Sequence, residues 1–96
     1  MAAQNCNPDR KSEHVEALRN KSLIHINQME IASHQIGFLT HLKFVRCQTE
    51  SDLKCLKLKE NNSLEYEQII REIAIETWRL RYGTQRWHLV KDTATK

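Results

Sequence analysis

The chain has 96 residues, of which 40% are hydrophobic and 28% charged, and a formal net charge of +3. That length makes one domain, and a chain so short buries only roughly 60–65% of its unfolded surface. Two glycines and a single proline leave almost no turn punctuation, which excludes a multi-stranded sheet and predicts an all-α fold. The basicity is mild, below the clustered charge of a dedicated nucleic-acid domain, and the sequence contains no apolar run long enough to span a membrane.

Residues 1–8 read as a polar lead-in without the apolar stretch of a secretory signal. The chain is therefore expected in the cytoplasm. Asn7 can cap and Pro8 can open a first helix, and residues 9–91 are expected to form a single helical domain. From about residue 9 the apolar positions keep helical spacing to about residue 46, with a break at 20–22 open because Ser22 can cap a fresh helix. Within this stretch Met29, Ala32, Ile36 and Leu39 form one stripe, and Ile24, Ile31, Phe38 and Val45 form another, with Leu42 beside it. Positions 36 and 38 lie roughly 200° apart on a helix, so both sides of this helix demand cover. Ser33, Gly37 and Thr40 fall between the stripes. Gly37 costs about 0.8–1 kcal/mol against alanine, so either another helix approaches closely there or the glycine is simply tolerated.

Thr49-Glu50-Ser51-Asp52 is rich in capping residues and is the expected turn. The segment Leu53–Lys59 mixes helical and alternating patterns, and one or two helical turns are favoured for it. Residues 63–82 are the clearest helix: Asn62 and Glu65 have capping-box spacing, and Gly83 stands where helices stop. Tyr66, Ile69, Ile73, Thr77 and Leu80 share one face; Ile75, Trp78 and Tyr82 lie to one side. The stretch Thr84–Lys91 adds a helical turn or straps across the bundle, and 92–96 is expected to be a disordered tail. The predicted molecule is thus a long helical hairpin of 9–46 and 63–82, packed through Ile31, Ile36, Gly37, Phe38, Ile69 and Ile73. Self-association, as a homodimer, would complete its bundle.

Few residues suggest chemistry. His34, His41, Cys47 and Cys55 are acceptable zinc ligands, but their spacings of seven, six and eight do not match the short pairs of structural zinc sites. No metal or other cofactor is expected. Cys6, Cys47 and Cys55 read as reduced thiols. Glu65, Glu67, Glu72 and Glu76 alternate with arginines as on a solvated helix face, and no glycine-rich phosphate loop exists. The chain reads as a non-enzyme. Its working surface is expected in the C-terminal segment, where Trp78, Arg79, Arg81, Tyr82, Arg86, Trp87, His88 and Lys91 gather the residue types of protein hot spots. These features point to a small protein–protein interaction module: an adaptor, chaperone-like subunit or inhibitor of a larger protein. The alternative is a nucleic-acid-binding regulator that uses the same basic, aromatic segment.

Overall fold

A computed structural model describes residues 11–31, 33–52 and 63–94, and every element among them is an α-helix. In chain order these are α1 (Lys11–Gln28), α2 (His34–Asp52), α3 (Ser63–Tyr82) and α4 (Thr84–Ala94). Helices α1, α2 and α3 each pack against the other two, and α4 lies against α2 and α3. The all-α, bundle-like architecture is therefore shown. None of the described helices is long and apolar enough to cross a membrane.

The continuous helix expected over 9–46 is instead two helices. Unbroken, it would run about 57 Å, whereas the molecule's longest axis is 41 Å. The break falls after Gln28, not at 20–22. Ser22 does not cap a helix; it is fully buried, and its hydroxyl donates to the Leu18 carbonyl at 2.9 Å. Ser33 is the cap. Its Oγ accepts the Ile36 amide at 3.2 Å, and its carbonyl accepts the Gly37 amide at 2.8 Å, which satisfies amides that the first turn leaves free.

The break resets the helical phase, which corrects the two stripes. On α2, Phe38, His41, Leu42, Val45 and Thr49 face the core. Ile36 and Leu39, expected to pack, are 61% and 45% exposed on the other side. On α1 the inward positions are Leu18, Ser22 and Ile26, while Ile24 points outward. Gly37 is buried for a local reason. A Cβ there would stand 2.5 Å from Cγ2 of Ile31, so the close approach comes from the α1–α2 connection and not from another helix. Ile31 itself packs against the core.

Thr49–Asp52 is the last turn of α2, not a turn between helices. The Thr49 hydroxyl donates to the Val45 carbonyl at 2.8 Å in the interior, a way for a buried threonine to meet its hydrogen-bonding need inside a helix. The ambiguous segment at 53–59, the Asn62 cap and the lead-in at 1–8 lie outside the described residues. Helix α3 occupies the expected span. Gly83 ends it at φ 94°, its amide donating to the Arg79 carbonyl at 2.8 Å, the left-handed stop that glycine takes without strain. Helix α4 then continues to Ala94, into the stretch expected to be a tail.

The core comprises Leu18, Ile26, Phe38, Leu42, Val45, Tyr66, Ile70, Ile73, Ala74, Trp78 and Val90, drawn from all four helices. Ile73 is buried as expected, and Ile69 is half-buried against the same cluster. Arg46 of α2 donates to Glu67 of α3 at 2.5 Å, and Arg71 stands 3.3 Å from the same carboxylate. The Arg46 hydrogen bond is the main reason the Glu67 carboxyl is held below its usual range.

Candidate functional site

The C-terminal segment divides between core and surface. Trp78 is fully buried, with Phe38 edge-on at 5.4 Å and Tyr82 tilted at 4.5 Å between ring centroids. As a fully enclosed side chain it cannot touch a partner, and its place in the expected docking set is corrected to core. Trp87 is half-buried, its ring 5.4 Å from that of Phe38. Tyr82 is half-buried, with the Arg81 guanidinium 4.8 Å from its ring centroid, a cation–π arrangement. Arg86 donates across to Nε2 of His34 at the start of α2. Arg79, Arg81, Arg86, His88 and Lys91 are all exposed.

These exposed groups do not make one stripe. Arg79 joins a surface whose glutamates alternate with arginines as on a solvated helix face. An open groove of about 570 Å³ runs along the outer side of α3 to the first residue of α4, lined by Glu72, Ile75, Glu76, Arg79, Leu80 and Thr84. Leu80, expected on a packed face, is 66% exposed, whereas Ile75 is partly buried beneath it. The divergence follows from the helical repeat: Ile73, Ala74, Thr77 and Trp78 take the inward side of α3, and Leu80 is two positions out of phase with Trp78, roughly 200° around the helix. Arg79 also reaches the Thr84 hydroxyl at 3.4 Å, and Glu76 lies 3.6 Å from Arg19 of α1. The signal in the sequence was the apolar pair Ile75 and Leu80 set among glutamates and an arginine on one face.

A second arrangement went unread in the sequence. His41 of α2 has no exposed surface; its Nε2 lies 2.7 Å from Thr77 Oγ1, and its Nδ1 lies 2.9 Å from Nδ1 of His25 on α1. The Thr77 hydroxyl donates to the Ile73 carbonyl at 2.8 Å, so its oxygen accepts from His41 Nε2–H. That assignment leaves Nδ1 of His41 as an acceptor, and His25 donates to it from Nδ1. The two imidazoles lie at 7° with centroids 5.1 Å apart. With the facing nitrogens only 2.9 Å apart, the rings meet edge to edge in one plane instead of overlapping. His25 does overlap Phe44, with centroids 3.9 Å apart at 1°.

This chain of hydrogen bonds ties three helices together. Burial drives the His41 pKa down to about 4, with the neighbouring His25 as a lesser cause, and burial also lowers that of His25. His25 opens on a shallow cleft of about 370 Å³ whose lining includes Ile24, Phe44, Gln28 and Gln48. Of the residues weighed as zinc ligands, His41 is committed to this chain, His34 to Arg86, Cys47 is an exposed free thiol on α2, and Cys55 lies outside the described residues. Among the described residues, no three His, Cys, Asp or Glu side chains are grouped so as to hold a metal ion. No protein-family model, curated protein or solved structure compared with this chain matches it.

Proposed function

We propose that this chain is a small non-enzymatic interaction module that docks onto another protein through the outer face of α3 and its continuation into α4. The observation that carries the reading is the α3 groove, where Leu80 and Ile75 offer an apolar floor between Glu72, Glu76 and Arg79. A groove of that make-up suits an amphipathic helix whose apolar anchors enter it while charged neighbours line its edges. Exposed Arg81 and Arg86, with half-buried Tyr82 and Trp87, extend the surface with residue types enriched at protein hot spots. The free, exposed Cys47 thiol fits a reducing compartment such as the cytoplasm.

The non-enzymatic part of the proposal rests on how the histidines are used. His25 and His41 spend their facing nitrogens on each other, and His41 spends its second on Thr77. Nucleic-acid binding by the basic segment is the weaker reading, because Arg79 shares its groove with Glu72 and Glu76, whose charges oppose a phosphate backbone.

Affinity capture after nuclease treatment tests this, comparing the wild-type chain with Leu80→Asp. A protein retained at high salt by the wild type, and lost with Leu80→Asp at unchanged melting temperature, is the expected result. Capture indifferent to Leu80→Asp would overturn the groove as the docking surface. Binding that needs nucleic acid and falls steeply with salt would overturn the protein reading itself.

A further inference from the structure

The hydrogen-bond chain through Thr77, His41 and His25 decides which nitrogen of His25 is left for chemistry. His25 gives its Nδ1–H inward to His41. Nε2, on the opposite side of the ring, therefore keeps its lone pair and turns toward the cleft that His25 lines. Phe44 lies flat against the ring, 3.9 Å between centroids, and holds that edge of the imidazole in place. An imidazole tied in this way through its other N–H is fixed in one tautomer and one orientation, as nucleophilic histidines require. Burial also weakens the hold of His25 on a proton, so at neutral pH the ring is neutral and the lone pair available.

The walls of the cleft select what that nitrogen takes. Lys21, His25 and Gln28 share one face of α1 at helical spacing, and Phe44 and Gln48 stand one turn apart on α2. The Lys21 ammonium opposes a metal cation beside it and favours an anion. Among the described residues no three metal-ligating side chains are grouped, whereas the amides of Gln28 and Gln48 are donors suited to anionic oxygens. An electrophile that bonds to nitrogen and carries negative oxygens meets all of these conditions.

We propose that His25 is a phosphoryl-acceptor site, modified at Nε2 by a donor with a phosphorus–nitrogen bond, with Lys21, Gln28 and Gln48 receiving the phosphoryl oxygens. In the transfer the Nε2 lone pair forms the new N–P bond as the P–N bond of the donor breaks, and the donor nitrogen departs with that electron pair. From phosphoramidate, whose nitrogen is already protonated at neutral pH, the leaving group is ammonia and no further proton moves. The positive charge gained by the imidazole is met by His41, which accepts the Nδ1–H before and after the transfer, while Thr77 accepts the Nε2–H of His41. This site lies between α1 and α2 and does not depend on the α3 groove.

Treatment of the full chain with potassium phosphoramidate at neutral pH tests the proposal. Peptide mapping gives the rate at each histidine, and phosphorus NMR separates Nε2 from Nδ1 products. His88, exposed on α4, is the internal reference for an unassisted imidazole. In the wild type, His25 is expected to react at Nε2 about tenfold faster than His88, or more. Lys21→Gln changes an exposed side chain. It is expected to slow His25 about threefold and to leave both the rate at His88 and the circular dichroism spectrum unchanged. A wild-type chain in which His25 reacts no faster than His88, or reacts at Nδ1, overturns the proposal. So does a Lys21→Gln chain in which His25 keeps its wild-type rate.

Discussion

His41 is a titratable side chain with no surface, hydrogen-bonded at both nitrogens in the interior of a small protein. Its arrangement demands the neutral ring: Nε2 carries the proton given to Thr77, and Nδ1 must keep a lone pair for His25. A proton added at Nδ1 would place two N–H groups head to head. The folded-state pKa of about 4 lies below the ordinary histidine value of 6.5, so between those values the unfolded chain binds more protons than the folded one. Stability attached to His41 is therefore fully present above about pH 6.5 and is lost as pH falls toward 4, by up to about 3 kcal/mol at 1.36 kcal/mol per pKa unit. The lowered pKa of His25 acts in the same direction. The expected result is a melting temperature that drops between pH 7 and pH 4 in the wild type. In a His41→Gln variant, less stable at neutral pH, the drop should be smaller. Equal slopes in the two proteins would show that the acid sensitivity arises elsewhere.

At the scale of elements, the break between α1 and α2 rests on one serine. Ser33 holds the Ile36 amide with its side chain, and the loss of such a cap costs typically about 1 kcal/mol. Ser33→Ala is expected to lower stability by about that amount in urea unfolding, while Ser33→Asp should retain it; an unchanged midpoint for Ser33→Ala would remove the cap from the account. The same serine shows what was legible in the sequence. Helical periodicity identified the fold class, and Gly83 placed the end of α3, because an uninterrupted apolar face and a left-handed stop are local signals. Ser33 falls between two apolar stripes in the sequence, where a change of helical phase looks the same as one continuous helix that is apolar on both sides. Thr49–Asp52 has the composition of a turn yet ends a helix, because threonine and serine serve equally as caps and as buried helical residues bonded to the fourth carbonyl behind them. Ser22, Thr49 and Thr77 all do the latter. The polar chain through His25, His41 and Thr77 spans positions 16 and 36 residues apart, a juxtaposition that depends on how three helices pack and has no local signature. The α3 groove stayed hidden for a related reason: only the packed structure decides which side of a broadly apolar helix is left uncovered.

The whole molecule behaves as one cooperative unit if its smallest helix is bound into the core. Helix α4 has only 11 residues, and in isolation a helix that short is marginal in water. It is held by Val90, fully buried, and by Trp87, half-buried against Phe38, so it closes the bundle over α2 and α3. Trp78, beneath the same cluster on α3, reports on that closure from the inside. If α4 detached separately, tryptophan fluorescence would change before the bulk of the helix melted; if it is integral, the two signals move together, as two-state unfolding requires. Coincident urea transitions by far-UV circular dichroism and tryptophan fluorescence are therefore expected in the wild type. Val90→Ala should lower both midpoints together, at a cost on the order of 2 kcal/mol for a buried aliphatic truncation. That is a large share of the roughly 5–15 kcal/mol a domain of this kind possesses, so the variant should remain folded but visibly closer to its limit. A fluorescence transition that shifts to lower urea while the circular dichroism transition stays in place would show α4 to be a separable appendage, and the docking surface proposed for α3 and α4 would then be assembled only when both helices are seated.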